Sequence, residues 1–259
     1  MNKPNILISN DDGIDADGLI KLAIELKKFA NVYVSAPHIQ QSAVGHSITI
    51  FYPLRATKHH IDGEFFGMAI EGTPADAVKA GVLHFFKDVK FDLVVSGINH
   101  GANNAISIIY SGTVSAATEG SLLGIPSIAI SLTTFDRVDF AESAKIAGKL
   151  VKKILLDKEI KIKPKTLLNI NIPNVREEEI KGIIITKQGK SYWEDGLEVR
   201  ADPYGREYYW LTGHMVNTDE SLEFDVKATI ENYISITPLH YDLTDFEMIE
   251  EIKKWNLKI

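Results

Sequence analysis

Two neighbouring carboxylates, Asp11 and Asp12, are the residues of this sequence best placed to do chemistry. They lie in the segment Asn10-Asp11-Asp12-Gly13, directly after the short apolar run NILIS at residues 5–9. Two ionised carboxylates this close repel each other unless a cation lies between them, and hard oxygen ligands suit Mg²⁺, Mn²⁺ or Ca²⁺. The alternative is a turn, because Asp-Gly between apolar residues is also a strong hairpin signal. The residues that follow have helical spacing rather than strand alternation, which favours the ligand site.

A second polar loop, residues 36–47, follows the apolar run NVYVS and contains Ser42 and His46. A serine in such a loop is usually a solvated or turn-forming hydroxyl, and a loop histidine is more often exposed than catalytic. The residue pattern by itself therefore favours no chemical role for either side chain.

A third loop, residues 96–104, is rich in Asn and Gly and follows the apolar run DLVV. Its glycines permit close backbone approach, and the amides of Asn99, Asn103 and Asn104 can ligate or orient a bound group. Asn in loops also commonly occupies left-handed turns, which is the simpler interpretation of Asn103 and Asn104. Asn99 lies nearest the end of the apolar run and is the better ligand candidate.

Ser111, Gly112 and Thr113 immediately precede a stretch with helical spacing. They can cap that helix, and capping alone explains them. A helix N-terminus also presents backbone N–H groups to an anion. Because this segment follows the Asn-rich loop, phosphate binding is the alternative to a purely capping role.

These loops are positioned by an alternation of strand-like and helix-like segments. Short, β-branched-rich runs predict buried parallel strands at residues 5–9, 31–36, 92–96 and 127–132. Helical spacing follows them at residues 18–29, 74–86, 113–123 and 140–156. This alternation predicts an α/β fold built from right-handed βαβ units, with the polar loops at the carboxyl ends of the strands, where open α/β sheets bind ligands.

The pattern changes from residue 166 onward to strand-like runs, namely TLLNINIP, GIIITKQ, REYYWLTG and NYISITPL, followed by a predicted helix at residues 244–255. No linker divides residues 1–259, so a single domain is expected. A composition shift near residue 200 suggests a C-terminal arm at about residues 200–259. Such an arm pairs either with a partner subunit or with its own sheet, and the pattern leaves both open.

The composition excludes several function classes. With 28 Lys and Arg against 35 Asp and Glu, the formal charge is -7, and the scattered basic residues do not predict a nucleic-acid-binding face. The chain has no cysteine, which excludes disulfides, thiolate zinc sites and a Cys nucleophile. No run approaches ~18 consecutive apolar residues, and no signal peptide is evident, so a soluble cytoplasmic protein without a membrane partner is expected.

Taken together, these loops resemble the SurE (survival protein E) family of nucleotidases over essentially the full length of the chain. The segments that carry the resemblance are SNDDGIDADGL, SAPHIQQSAVGHSITI, EGTPADAVKAG, DLVVSGINHGANN and YSGTVSAATEGSLLGIPSIAIS, followed by YYWLTG and YISITPL. The resemblance implies a Rossmann-like core with a C-terminal arm exchanged between subunits of a homo-oligomer, a dimer or a tetramer. One departure is Ala77, where some relatives have Cys, and this position is not one of the proposed ligands.

The resemblance also implies a site and an activity. In this family an acidic pair, a loop serine and an asparagine hold one divalent cation per subunit, which corresponds here to Asp11, Asp12, Ser42 and Asn99. The implied activity is a phosphatase that uses Mg²⁺ or Mn²⁺ to hydrolyse nucleoside 5′-monophosphates, with Asp11, Asp12 and Asn99 as the catalytic residues.

The predicted substrate-binding residues surround that cation, and the phosphate oxygens are expected to contact the loop at residues 111–113. The full predicted set is Asn10, Ser42, His46, Asn103, Ser111, Gly112 and Thr113. The proton donor to the ribose leaving group is left unassigned, with His46 as a candidate.

Two other functions stay open. Residues 15–19, DADGL, mimic the nucleophile motif of haloacid-dehalogenase-type phosphatases, with Asp15 as the nucleophile. In that motif the first Asp follows its strand directly, whereas here the predicted strand ends six residues earlier at Ser9. The second alternative is a non-catalytic nucleotide or phosphate sensor, because a fold does not fix a function.

Overall fold

A nine-stranded sheet forms the centre of the molecule in a computed structural model that describes residues 3–136, 138–255 and 257. Its strands are β1 (Asn5–Ser9), β2 (Asn31–Pro37), β3 (Ala56–Ile61), β4 (Glu64–Ile70), β5 (Leu93–His100), β6 (Ser127–Leu132), β7 (Thr166–Ile172), β8 (Gly182–Ile185) and β11 (Tyr233–His240). They are arranged in the order β3-β4-β2-β1-β5-β6-β7-β11-β8. The six strands from β4 to β7 in this order are mutually parallel, while β3 and β11 run antiparallel to their inner neighbours β4 and β7. The predicted α/β fold with a mostly parallel sheet is confirmed.

Helices cover both faces of this sheet. They are α1 (Asp17–Lys27), α2 (Pro74–Ala80), α3 (Ser107–Tyr110), α4 (Gly112–Leu122), α5 (Ala141–Leu156) and α6 (Asp225–Ile230). On one face, Ile6 and Ile8 of β1 pack into a cluster with residues of α1 and α5. On the other face, Leu7 of β1 packs with residues of α2 and α4. The alternation of β1 side chains between two buried faces accounts for its uninterrupted apolar sequence.

The predicted helix at residues 74–86 is divided in the structure. Its first part is α2, which begins with the predicted cap: the Thr73 hydroxyl accepts from the backbone N–H of Asp76, and the Asp76 carboxylate accepts from the N–H of Thr73. From Gly81 the chain continues as a π-helical turn to Phe85.

The position of β1 between β2 and β5 creates the crevice of the fold. The chain passes from β1 to β2 on one side and returns as β5 on the other side of β1. At such a reversal the connections diverge at the carboxyl ends of the two strands and leave room for a ligand. The Asp11–Asp12 loop and the Asn-rich loop lie at this reversal point.

The C-terminal region contributes to the main sheet as well as to a separate hairpin. Strands β9 (Tyr192–Ala201) and β10 (Glu207–Val216) form a two-stranded antiparallel sheet of their own. The chain then returns to the main sheet as β11, and it continues to α7 (Phe246–Lys254), which buries no residue. Within the predicted arm at about residues 200–259, the described segments outside the main sheet include β10 of this hairpin and α7, and β11 lies between them in the sequence.

None of the helices in the part of the chain that the structure describes is long and apolar enough to cross a membrane.

Candidate active site

Asp11 lies at the base of a cavity formed by the carboxyl ends of β1 and β5 and the root of the β9–β10 hairpin. The residue is only 4% exposed, and its Oδ1 accepts a hydrogen bond from the Thr113 hydroxyl. Burial raises the pKa of the Asp11 carboxyl to about 6; the hydrogen bond from Thr113 opposes this, and the charge of Asp12 adds to it. The carboxylate is therefore held in a place where its charge is costly unless a cation compensates it.

Asp12 is half-buried and is oriented by two donors. The backbone N–H of His100 donates to its Oδ2 at 3.1 Å, and Gln40 Nε2 donates to its Oδ1 at 3.4 Å. Burial raises the pKa of Asp12 as well, and the hydrogen bond from His100 offsets this only in part. Adjacent carboxylates that are both hard to ionise form the electrostatic environment that favours binding of a divalent cation.

The loop after β2 brings Ser42 to the same cavity. Gln40 Nε2 donates to Ser42 Oγ at 2.9 Å as well as to Asp12, so one amide connects two predicted ligands. The backbone N–H of Gln41 also donates to the carbonyl of Asp11 at 2.7 Å. These contacts fix the position of the Ser42 loop relative to the acidic pair.

Asn99 approaches from β5, where its register against β6 shifts between Ser96 and Asn99. Such an irregularity re-aims the side chains that follow it. Asn99 is 9% exposed and lines the cavity, and its Nδ2 donates to the carbonyl of Gly101 at 2.7 Å. Because this bond uses the amide nitrogen, it leaves Oδ1 as the atom available to a ligand.

The segment of Ser111, Gly112 and Thr113 lies directly against Asp11. Ser111 caps α4 by accepting from the N–H of Val114 at 3.0 Å. Gly112 approaches so closely that a Cβ on it would lie 2.6 Å from the Asp11 Cβ, and the next residue, Thr113, is fully buried against the Asp11 carboxylate. The N-terminus of α4 thus packs on Asp11, and its positive end favours the ionised carboxylate.

Comparison with known proteins gives the family of this chain. The family described as "Survival protein SurE" matches residues 6–195. The chain belongs to the SurE family. It is 44% identical over 258 residues to "5'-nucleotidase SurE" of Chlorobium phaeobacteroides, covering 100% of this chain and 98% of the relative. The protein of the same name from Petrotoga mobilis is 44% identical over 251 residues, 97% of this chain and 98% of the relative. The crystal structure of the SurE protein from Aquifex aeolicus matches with a TM-score of 0.84 at 42% identity, covering 98% of this chain and 100% of that one.

The four residues that the SurE resemblance assigns to the cation have a suitable donor chemistry. Asp11, Ser42 and Asn99 line the cavity, and Asp12 is linked to Ser42 through Gln40. All four supply oxygen atoms, which is the ligand type of Mg²⁺ and Mn²⁺. Among the residues described, no group of three or more His, Cys, Asp or Glu side chains forms an alternative metal site. The residues present fit a hard divalent cation.

Three predicted substrate-binding residues have other partners in this SurE-family fold. Asn10 is fully buried, and its Nδ2 donates to the carbonyl of Gly13 at 2.9 Å, so it shapes the turn. His46 Nε2 lies 3.0 Å from Glu119 Oε2 and is absent from the residues that line the cavity. Asn103 does line the cavity, and its Nδ2 donates to Ser131 Oγ at 2.9 Å.

The sequence interpretation also omitted residues that shape the site. Gln40 was not singled out, although it contacts both Asp12 and Ser42, and the aromatic residues of the cavity wall were not connected with the site. These are Tyr110, Phe135, Tyr192 and Trp193. Gln40 could have been found from the sequence, because it is a polar residue two positions before the candidate ligand Ser42. The aromatic residues of the hairpin could not, because the position of the hairpin at the cavity follows only from the tertiary structure.

Proposed function

We propose that this chain is a divalent-metal-dependent 5′-nucleotidase that hydrolyses nucleoside 5′-monophosphates to a nucleoside and phosphate. The observation that carries the proposal is the convergence of oxygen ligands from Asp11, Ser42 and Asn99 on one cavity at the strand reversal, with Asp12 tied to the same loop. The SurE relatives named as 5′-nucleotidases support the substrate class over nearly the full chain.

The proposed cation ligands are Asp11, Asp12, Ser42 and Asn99, with one Mg²⁺ or Mn²⁺ per subunit. When bound, such a cation neutralises phosphate charge and lowers the pKa of a water molecule. The protein itself holds the ligands in place. Thr113 orients Asp11, the backbone N–H of His100 orients Asp12, and Gln40 holds Asp12 and Ser42 together.

The substrate phosphate is proposed to lie between these ligands and the start of α4. Ser111 and Asn103 line the cavity there, and the backbone N–H of Gly112 belongs to the first turn of α4, where the helix leaves donors without intrahelical partners. Positive charge from Lys or Arg is absent among the described residues that line this cavity. Phosphate binding therefore depends on the cation and on oriented hydroxyl and N–H dipoles.

Phosphate release from a panel of nucleoside 5′-monophosphates, with excess chelator and with Mn²⁺ or Mg²⁺ restored, tests the proposal. We expect no release in chelator and recovery with metal. The Asp12→Asn variant keeps the shape of the side chain but removes a charge, so calorimetry should record weaker metal binding by a folded protein. Full activity in excess chelator would refute the metal mechanism.

The haloacid-dehalogenase alternative is disfavoured by the position of Asp15. Its side chain is 74% exposed, its Oδ1 lies 3.0 Å from His59 Nε2, and it does not line the cavity. A nucleophile needs to face the phosphate site, which Asp15 does not do. A non-catalytic sensor would bind nucleotide without phosphate release, so the same panel distinguishes it. The homo-oligomer and the cytoplasmic location stay predictions.

A further inference from the structure

The end of the Asn-rich loop, from Asn103 to Ala105, belongs to no strand or helix, and side chains from other elements bind its backbone. Asn171 of β7 accepts from the backbone N–H of Asn103 at 2.9 Å. The side-chain amides of Asn171 and Asn169 both donate to the carbonyl of Asn103, at 2.9 Å and 2.7 Å. Asn103 lines the cavity, whereas these two residues of β7 do not. The position of Asn103 in the cavity therefore depends on side chains that lie outside it.

Ala105, which directly follows this loop, is held at both of its backbone groups. Its N–H donates to Asp225 Oδ2 at 3.0 Å, and its carbonyl accepts from Gln188 Nε2 at 2.9 Å. Ala105 is fully buried and has a φ of +45°, a left-handed conformation that is unfavourable for alanine. A residue keeps such a conformation where the surrounding structure imposes it. Asp225 and Gln188 supply this constraint.

Asp225 uses its two carboxylate oxygens for two different elements. Oδ2 binds the backbone of Ala105, whereas Oδ1 accepts from the backbone N–H of Gly189 at 2.9 Å. Gly189 and Gln188 belong to the root of the hairpin, residues 188–193, which leads into β9. A Cβ on Gly189 would lie 2.7 Å from Asp225 Oδ1 and 3.3 Å from the Cβ of Ala105, so this position has no room for a side chain. The carboxylate of Asp225 therefore bridges the Asn-rich loop and the hairpin root.

Asp219 is a second carboxylate that binds the hairpin root. It accepts from the backbone N–H groups of Lys190 at 2.9 Å and Ser191 at 3.2 Å, and from the Ser191 hydroxyl at 2.6 Å. All the described donors to this carboxylate belong to residues 190 and 191. Asp219 is 4% exposed and Asp225 is fully buried, so both carboxylates lie inside the protein. They differ in that Asp225 binds the loop as well as the root.

We propose that Asp225 is a positioning residue for phosphate binding, because it fixes the Asn-rich loop against the hairpin root and so sets where Asn103 meets the phosphate. This rests on the proposed function, which places the phosphate beside Asn103 and Ser111. Asp225 does not line the cavity, so it acts through the loop. The proposed cation ligands other than Asn99 lie on the loops after β1 and β2. Loss of the bridge should therefore weaken phosphate binding more than metal binding.

Hydrogen exchange in chelator tests the bridge without any ligand. Asp225→Asn keeps the shape of the side chain but turns an amide NH₂ toward a backbone N–H that the carboxylate accepts. Exchange at residues 101–106 should become about tenfold faster, because a buried donor has lost its acceptor. In the matched control Asp219→Asn, exchange should become faster at residues 190–193 and stay near the wild-type rate at residues 101–106.

A second variant covers the case in which Asp225→Asn does not fold. Gln188→Met keeps the length of the side chain and removes the donor to the Ala105 carbonyl, so exchange at residues 101–106 should again become faster. Wild-type rates in that segment for both Asp225→Asn and Gln188→Met would overturn the proposal. So would equal acceleration by Asp219→Asn, because the loop would then respond to any loosening of the hairpin.

Binding measurements connect the bridge with the site. Calorimetry measures Mn²⁺ affinity first, and then the affinity of the Mn²⁺-loaded protein for inorganic phosphate. For Asp225→Asn we expect the phosphate Kd to rise about tenfold, since a displacement of about 1 Å in a site can cost up to about 100-fold. Mn²⁺ affinity should stay within about twofold, because the bridge and most of the cation ligands share no partner. An equal loss of both affinities would indicate general damage and overturn the positioning role.

The same measurements separate this proposal from the proposed function. If the wild type releases no phosphate from nucleoside 5′-monophosphates but loop exchange and phosphate affinity change as expected, the proposed function fails and the positioning role of Asp225 stands. If the wild type hydrolyses these esters and Asp225→Asn binds phosphate as the wild type does, the function stands and the positioning role is overturned.

Discussion

The buried hydroxyl of Thr113 contacts a proposed metal ligand, Asp11, and not the space available to the phosphate. Its position at the start of α4 suggested a contact with phosphate, but in the structure it donates to Asp11 Oδ1 and is fully buried. A buried donor committed to a carboxylate has no second proton for a phosphate oxygen. Thr113 is therefore better placed to fix the geometry of Asp11, the role that outer hydrogen-bond partners of metal ligands usually have.

We predict that Thr113→Val weakens metal binding about tenfold, because outer-shell partners of metal ligands typically contribute roughly 10- to 100-fold in affinity. Thr113→Ser keeps the hydroxyl and should bind metal nearly as well as the wild type. Isothermal titration calorimetry with Mn²⁺ measures both variants without any assay of activity. If Thr113→Val and Thr113→Ser bind Mn²⁺ with equal affinity, Thr113 does not orient the metal ligand, and a helix-capping or phosphate-binding role is favoured.

Asp225 is a second buried carboxylate, and its pKa is raised. It accepts from the backbone N–H groups of Ala105 at 3.0 Å, Gly189 at 2.9 Å and Val226 at 2.8 Å, and it ties the Asn-rich loop to the root of the hairpin. Burial raises its pKa to about 6, although the three hydrogen bonds oppose the shift. The folded protein therefore binds a proton at Asp225 more tightly than the unfolded chain does.

This shift predicts the sign of a pH effect on stability. Between about pH 4 and pH 6 the folded state holds the Asp225 proton and the unfolded state does not. This bound proton stabilises the folded state below that window, and its contribution to the free energy of unfolding is lost as the pH rises, by roughly 3 kcal/mol at most. Asp225→Asn cannot titrate, so its free energy of unfolding should fall less steeply over the same pH range. Urea unfolding of the wild type and of Asp225→Asn, in chelator at several pH values, measures the difference between their pH dependences. Asp11 also titrates in this range, but it is present in both proteins and its contribution cancels. Parallel pH profiles would contradict the assignment.

At the scale of elements, the helix α4 organises the site from its first turn to its middle. The first turn packs Gly112 and Thr113 against Asp11. About two turns further along α4, Glu119 binds two partners from other elements. Lys79 Nζ lies 2.5 Å from Glu119 Oε1, and His46 Nε2 lies 3.0 Å from Oε2. Burial raises the pKa of Glu119, but these two hydrogen bonds outweigh it, so the pKa is lowered and the carboxylate stays charged. His46 therefore connects the Ser42 loop to α4.

We predict that His46→Ala loosens the Ser42 loop more than it destabilises the fold. Hydrogen exchange of residues 39–47 should become faster, and Mn²⁺ affinity should fall severalfold, because one of the contacts that hold the Ser42 loop is then lost. His214→Ala on the hairpin is the matched control. His214 is exposed and its Nε2 lies 3.2 Å from Glu194 Oε2, so its removal should have little effect. If exchange in the loop is unchanged while phosphate release falls, His46 acts on the substrate instead.

The bounds of strands were predicted best where the side chains are buried on both faces of the sheet. Strands β1 and β6 have the predicted bounds, because an apolar run ends sharply at polar residues in both cases. Strands β3, β4 and β9 were missed. ATKHHI is half-exposed with four polar positions in succession, EFFGMAI begins with two exposed residues and contains Gly67, and YWEDGLEVRA is almost entirely exposed and contains Gly196. The acidic pair was evident because its members are adjacent, whereas the bond of Thr113 to Asp11 joins residues 102 positions apart and requires the tertiary fold.

At the scale of the whole molecule, two segments extend from the core with apolar side chains that nothing in the described chain covers. On the hairpin, Leu197, Val199 and Trp210 are each more than half exposed, and so are Phe246 of α7 and Trp255 directly after it. Apolar side chains clustered on projecting elements typically mark surfaces that pair with another chain. An oligomer is the expectation from the SurE resemblance, and we predict that its pairing elements lie at residues 192–216 and 246–254.

We predict that the protein is at least a dimer at micromolar concentration and that the hairpin contributes to the contact. Val199 and Tyr209 lie opposite each other across β9 and β10 and are both more than half exposed. Replacing them together, Val199→Lys with Tyr209→Glu, keeps a favourable cross-strand pair within the hairpin while it removes apolar surface from the contact. Sedimentation velocity should show the wild type as an oligomer and the double variant shifted toward a smaller species, with circular dichroism unchanged because the hairpin is intact. Since neither residue lines the cavity, metal affinity per subunit should be unaffected. A wild type that sediments as a monomer would mean that the hairpin and α7 remain exposed in solution, whereas an oligomer that both proteins share would assign the contact to α7 or to the core.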